Sequence, residues 1–258
     1  MKNKNLDIYE NFWGSKTEFI NTSPDNKRVI DLINEISSYI NSDSISNILD
    51  VGCGEGSKTR QLKSLFPNAN IIGIDFTEAG IKYANENYKD IKNIIFKKIE
   101  ADNISIYHNE YDLITCFDVL EHIENWKHVI DLFTLNAKYI LISTLTGRMR
   151  KYEINGGHFR SFKKAEIENY LINKNYKIVK LFYAGFPFFN PVTRDLLNFV
   201  NFLFSKSKKH KNAFSEIYAK PRLITKIYSN IFYFLYKYCS TKNYLGNRYL
   251  GLFIKDKV

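Results

Sequence analysis

Two periodicities alternate along this chain. From Lys27 to Ile40 the apolar residues fall at Val29/Ile30, Ile33, Ile36 and Ile40, a spacing that predicts a helix. Asn47 to Gly52 is a short apolar run that reads as a buried strand. The pattern then repeats. Ser57–Phe66 reads as a helix stopped by Pro67, Asn70–Asp75 as a strand, and Thr77–Tyr88 as a helix with Thr77 as its N-cap. Strands are predicted at Asn93–Phe96, Tyr111–Cys116, Ala137–Ser143, Tyr176–Ala184 and Arg248–Ile254. Helices are predicted at Asn125–Asn136 and Lys163–Asn173. Strands alternating with helices argue for an α/β fold, a mostly parallel sheet with helices on both faces. Ligands of such sheets sit at the carboxyl ends of the strands.

One stretch breaks the alternation. Arg194–Ser205 places Leu196, Phe199/Val200 and Leu203/Phe204 on one helical face. Leu223–Tyr238 does the same with Ile224, Ile227/Tyr228, Ile231, Phe234/Leu235 and Tyr238. A basic loop, Lys206-Ser-Lys-Lys-His-Lys211, lies between them. The chain therefore divides into a core over 1–186 with an N-terminal helical cap, a helical insertion over 187–246, and a final core strand over 247–258.

Charge sharpens that division. The 258 residues carry a formal net charge of +10. Between Pro187 and Gly246 there are ten basic residues against two acidic ones, Asp195 and Glu216, so the insertion holds most of the excess. Four roles stay open for it: an apolar stripe packed on the core with its lysines in water, a cap over a substrate pocket, a homodimer face, or contact with an anionic membrane surface. Nearly all its cations are Lys rather than Arg, which argues against nucleic acid. Cys53, Cys116 and Cys239 are odd in number and scattered, so neither a disulfide framework nor a zinc site is indicated. The polar start MKNKNLDIYE carries no apolar leader, and no run reaches the length of a membrane span, so the expectation is a cytoplasmic protein.

The first strand ends in Asp50-Val-Gly52-Cys53-Gly54-Glu55-Gly56, which opens a helix. Alternating glycines let a backbone turn sharply and approach a ligand closely. The spacing is GxGxG, not the GxGxxG of dinucleotide-dependent oxidoreductases. A second acid, Asp75, ends the next strand, where a carboxylate can accept both ribose hydroxyls. DVGCGEG, IIGIDFTEAGIKYA and YDLITCFDVLEHI, in this order, resemble class I S-adenosylmethionine-dependent methyltransferases, and more closely the subgroup related to the ubiquinone-biosynthesis O-methyltransferases.

The resemblance covers Asn47–Ser143 well and fails across the insertion. It implies a Rossmann-like, seven-stranded, mostly parallel sheet and S-adenosyl-L-methionine as cofactor. It implies that Asp50 anchors the glycine loop and approaches the methionine amine, and that Gly52 and Gly54 pass the methionine and ribose. Asp75 would bind the ribose hydroxyls, with Phe76 beside the adenine. Glu100 and the Ala101 amide would meet the adenine, with Asp102 a neighbouring candidate. The Phe117 carbonyl would face the methionine amine. Cys53 reads as a packing residue.

On the acceptor side, Asp118, Glu121 and His122 can converge in one helical turn. His122 reads as a general base oriented by Asp118. The similar pattern of the ubiquinone O-methyltransferases implies a divalent-ion site, and simple support of the loop is a third reading. Gly156-Gly157-His158-Phe159-Arg160 suits a mobile loop over a substrate. His158 is a second base candidate. Arg160 would clamp a phosphate or carboxylate, or pair with an acid on the next helix. The (N/D)PP(Y/F) signature of amide and base-amine methylation is absent after the fourth strand. The GHFRSF loop and the Gly185–Pro187 junction resemble bacterial methyltransferases of surface-polysaccharide biosynthesis. The expected acceptor is a small molecule such as a nucleotide-linked or lipid-linked sugar. The rivals are an RNA methyltransferase using the basic insertion, a dinucleotide-dependent oxidoreductase, and a catalytically dead binding module.

Overall fold

The computed structural model describes residues 5–14, 23–103, 110–196, 198–199 and 223–256. Seven strands form one sheet: β1 (Asn47–Val51), β2 (Asn70–Asp75), β3 (Ile94–Lys98), β4 (Tyr111–Phe117), β5 (Ala137–Leu145), β6 (Tyr176–Ala184) and β7 (Arg248–Lys255). Their order is β3-β2-β1-β4-β5-β7-β6, and β7 pairs antiparallel with both of its neighbours. The other neighbouring pairs are parallel. The predicted fold class is therefore observed, with strand ends differing by a residue or two.

The helices are α1 (Leu6–Gly14), α2 (Pro24–Ser37), α3 (Ser57–Leu65), α4 (Glu78–Tyr88), α5 (Trp126–Asn136), α6 (Lys151–Asn155), α7 (Glu166–Ile172) and α8 (Leu223–Tyr238). On one sheet face α5 and α7 bury Trp126, Val129, Phe133, Ile167 and Leu171. On the other, α2 and α3 bury Val29, Leu32, Ile33, Ile36 and Leu62. Cover on both faces explains why the central strands are continuous apolar runs instead of alternating ones. Helix α2 starts earlier than its apolar period predicts. Ser23 accepts a bond from the Asn26 amide, and Pro24 occupies the first turn, where its missing N–H costs nothing.

Thr77 corrects an expectation. It stands at the start of α4 but does not cap it. Its hydroxyl donates to Asp75 at 2.6 Å. The first amides of α4, on Glu78 and Ala79, instead donate to the Glu10 carboxylate of α1 at 2.7 and 2.9 Å. A carboxylate there also complements the positive end of the helix dipole.

The first turn of the insertion is tied to the core. Arg194 is fully buried and pairs at 2.6 Å with the buried Glu153 of α6. Helix α8 lies against α2, where the Tyr233 hydroxyl donates to Asp31 at 2.7 Å. The predicted apolar face of α8 is turned the other way. Ser229 and Tyr236 are buried, with Phe232 packed beside them, whereas Ile227, Ile231, Phe234 and Tyr238 are exposed. The register follows from specific contacts: the Tyr236 hydroxyl donates to Thr193 at 2.7 Å and its ring packs on Phe189. Part of the first predicted amphipathic helix and the whole lysine loop lie outside the described residues. Among the described residues, no helix is long and apolar enough to cross a membrane.

Candidate active site

Strand order reverses between β1 and β4, and a cleft opens at their carboxyl ends. A cavity of about 200 Å³ is lined there by Asp50, Gly52, Cys53, Gly54, Asp75 and Phe117 among others. Gly52 and Gly54 take φ of 73° and 55°, the left-handed region that favours glycine. A Cβ at Gly54 would lie 2.6 Å from the Trp13 ring, so glycine is required there by space as well as by φ.

The two acids of this half are held by near neighbours. Asp75 accepts from the amides of Gly54 and Thr77, both at 2.9 Å. Burial raises its pKa against the pull of those donors, and it keeps a face on the cavity. Asp50 accepts from the Thr59 and Thr115 hydroxyls at 2.6 and 2.7 Å. Burial pushes its carboxyl up to about 6 despite them. Asp50 thereby staples α3 to β4 beneath the glycine loop.

A second cavity, of about 390 Å³, adjoins the first through Phe76, and Glu100 and Asp102 line it with Lys98, Ile99 and Asn103. Ala101 is half buried against the core. Burial beside Asp75 and Asp50 pushes the Cys53 thiol well up, which suits packing and not nucleophilic attack. The arrangement fits an adenosyl amino acid: a glycine cradle, an acid at the ribose position, and an aromatic ring at the junction of two cavities.

The acceptor half is assembled from distant segments. Asp118 sits at the end of β4 with φ of 61°. It pairs with Arg248 of β7 at 2.6 Å and Lys58 of α3 at 3.2 Å, and accepts from Ser143 at 3.0 Å. Burial opposes its ionisation, but the two cations override it and hold the carboxyl well below the usual range. Arg248 also pairs with Asp25 of α2.

His122 lines the cofactor cavity. Its Nδ1 lies 3.2 Å from the Gly157 carbonyl, and the Tyr9 hydroxyl lies 3.0 Å from its ring nitrogens. Its hydrogen-bond partners are thus Tyr9 and Gly157, while Asp118 bonds Arg248, Lys58 and Ser143. The His158 ring meets His122 edge to face at 4.4 Å. Burial lowers both imidazoles, His122 to about 4 and His158 to about 3, so both are neutral at physiological pH.

Glu121 lies beneath them and accepts from Thr144 at 2.8 Å. Burial, with Asp118 adding to it, pushes its carboxyl up to about 8. The ligand atoms of Glu121, His122 and His158 lie within 4.8 Å of one another. The set that could hold a cation thus contains His158 in place of Asp118.

Arg160 differs from expectation. Its guanidinium donates to the carbonyls of Leu120, Ile123 and Glu124. Among the described residues it pairs with no acid of α7, and it ties the Gly156–Phe162 loop to the turn that carries His122.

Sequence reasoning missed α1 as a wall of the site. Tyr9, Phe12 and Trp13 line the cavity, and Asn5 donates to the Gly157 carbonyl at 2.8 Å. The available signal was Ile8/Tyr9 and Phe12/Trp13, an aromatic face at helical spacing. Lys58, Asn26 and Arg248 were also missed. Lys58 and Arg248 are single polar residues whose partners lie far away in sequence, and Asn26 is an isolated polar residue at the start of α2.

Comparison with known proteins identifies the family and the fold. The chain is 29% identical over 140 residues to malonyl-[acyl-carrier protein] O-methyltransferase of Bacillus anthracis, covering 54% of this chain and 51% of that one. It is 29% identical over 165 residues to the ubiquinone biosynthesis O-methyltransferase of Hydrogenovibrio crunogenus, covering 58% and 66%. The match thus spans half to two thirds of these relatives' length. The fold is similar to that of an O-methyltransferase from a polyketide synthase of Brevibacillus brevis, solved with S-adenosyl-L-homocysteine. The TM-score is 0.57 at 15% identity, covering 86% of this chain and 72% of that one. The family model described as a methyltransferase domain matches residues 42–179, from the approach to β1 into β6 and including both halves of the cleft. The chain belongs to the methyltransferase-domain family.

Proposed function

We propose that this protein is an S-adenosylmethionine-dependent O-methyltransferase acting on a hydroxyl of a small molecule, with nucleotide-linked or lipid-linked sugars of surface-polysaccharide biosynthesis as the substrate class. The observation that carries the reading is the pair of half-buried, neutral imidazoles, His122 and His158, beside the cofactor cavity.

S-adenosylmethionine supplies an activated sulfonium methyl, so transfer is an in-line displacement that needs alignment and exclusion of water. Gly52, Gly54, Asp75, Phe76 and the Glu100–Asp102 loop would hold the cofactor, with the Phe117 carbonyl and Asp50 beneath the methionine part. A hydroxyl acceptor must lose its proton as the new bond forms. With Nδ1–H given to the Gly157 carbonyl and the Tyr9 hydroxyl donating to the Gly156 carbonyl, His122 would accept that proton at Nε2 beside the Tyr9 oxygen. The nearby Asp118 carboxylate favours the imidazolium that results. Substrate preference rests on the resemblance of the loop over residues 156–162 to polysaccharide-cluster enzymes, and the side chains around His158 would set it.

The test is a methyl-transfer screen against nucleotide-sugars, lipids and RNA, followed by His122→Ala and His158→Ala. The base should lose about a thousandfold in kcat while affinity for S-adenosylhomocysteine changes less than about threefold. Parallel loss of cofactor affinity in both variants would reduce the pair to scaffold. The Glu121–His122–His158 cluster favours a second reading, in which a divalent ion orients the acceptor oxygen. Turnover abolished by a chelator and restored by magnesium would select it.

A further inference from the structure

We propose that the outward face of α8 docks the protein on an anionic phospholipid bilayer. On this face Ile227, Ile231, Phe234 and Tyr238 are 51%, 53%, 54% and 67% exposed. They recur at helical spacing along one stripe, and the Phe234 and Tyr238 rings touch at 5.2 Å. The opposite face already satisfies the core through Ser229, Phe232 and Tyr236, so the stripe is a second apolar face left in water. Val192, Leu196 and Phe199 of the same insertion are exposed as well.

Charge complementarity identifies the occupant. Helix α8 carries no acid, and of its two lysines Lys237 is paired with Asp31 while Lys226 is exposed. The acids of α2 nearest to it, Asp31 and Glu35, are neutralised by Lys237 and Lys242. The sequence just before α8 adds Lys206, Lys208, Lys209, Lys211, Lys220 and Arg222 against the single acid Glu216. An apolar stripe with a basic flank is the pattern of a helix lying in the headgroup region of an anionic membrane.

A second copy of the chain fits less well. Four half-exposed side chains offer on the order of 400 Å², about half of what a stable interface takes from each partner. RNA fits less well because two members of the stripe are aliphatic, and stacking needs rings.

Topology adds a link. The insertion leaves the carboxyl end of β6 and returns at the start of the antiparallel β7, on the edge that holds the cofactor cavity. The segment that carries α8 therefore emerges from the same sheet edge as the cofactor cavity.

The measurement is flotation with vesicles of phosphatidylglycerol and phosphatidylcholine, compared with phosphatidylcholine alone. It requires no methyl transfer, so its outcome is separate from that of the catalytic reading. The full chain should float with the anionic vesicles, less so at high salt. Ile231→Glu/Phe234→Glu should lose about tenfold in binding. Both positions are half exposed, so the melting temperature should stay put. If that variant unfolds, Lys226→Glu on the exposed flank must still weaken anionic binding. A wild-type chain that fails to float, or variants that float equally well, overturn the proposal. So does a wild-type dimer that the double variant dissolves, which assigns the face to a second copy. Polyuridylate binding lost in the same variant, without vesicle binding, overturns it too.

Discussion

The two halves of the cleft are built on different principles. In the cofactor half most of the bonds to the two acids come from within twenty-one residues of chain, and Thr115, 65 residues from Asp50, is the exception. Asp75 bonds Thr77, two residues away, and Gly54, twenty-one away; Thr59 reaches Asp50 over nine. Backbone conformation does most of the shaping, through glycines at positive φ. In the acceptor half almost every contact is long-range. Tyr9 reaches His122 across 113 residues, Arg248 reaches Asp118 across 130, and Asn5 reaches Gly157 across 152. A local cradle is fixed by a few stretches of backbone, whereas the other half is built from single side chains that can be exchanged one at a time.

Three substitutions probe that contrast. The largest effect belongs to the local half. Asp75→Ala should weaken S-adenosylhomocysteine binding about a hundredfold by calorimetry, because it removes the proposed ribose partner and frees the Gly54 and Thr77 amides together. Unchanged affinity would remove Asp75 from the cofactor site.

The next effect belongs to the long-range half and depends on pH. Glu121 is raised from 4.5 to about 8, so the folded chain keeps a proton that the unfolded chain gives up. The stability this adds is complete below pH 4.5 and is lost as pH rises through about 8. Glu121→Gln keeps the acceptor for Thr144 but has no proton to lose. Its melting temperature should gain on the parent by several degrees across that window. The histidines titrate alike in both chains and cancel. A difference independent of pH would mean that Glu121 is ionised throughout.

The smallest effect lies where the halves meet. Glu10→Ala should cost about 1 kcal/mol in denaturant unfolding by uncapping α4. If the cost is nil, water replaces the carboxylate at no penalty.

The same contrast decides what could be read in advance. The sheet, its helices, the glycine loop and Asp75 were legible because each is written within a few consecutive residues. Thr77 was misjudged as a cap because its rival for the helix amides, Glu10, lies in another element. Arg160 looked like a ligand clamp because a guanidinium's use for three carbonyls leaves no mark in sequence. Helix α8 is apolar almost all round, LITKIYSNIFYFLYKY, so periodicity found a stripe but could not say which side meets the core. The hydroxyl of Tyr236 and the small size of Ser229 made that choice.

One nine-residue helix touches every part of this cleft. Through Trp13 it presses on the glycine loop, through Glu10 it holds the start of α4, and through Tyr9 and Asn5 it grips His122 and the loop beside it. Whatever displaces α1 therefore loosens the glycine loop, the start of α4 and the His122 turn together, so one short segment mechanically links the two halves of the cleft.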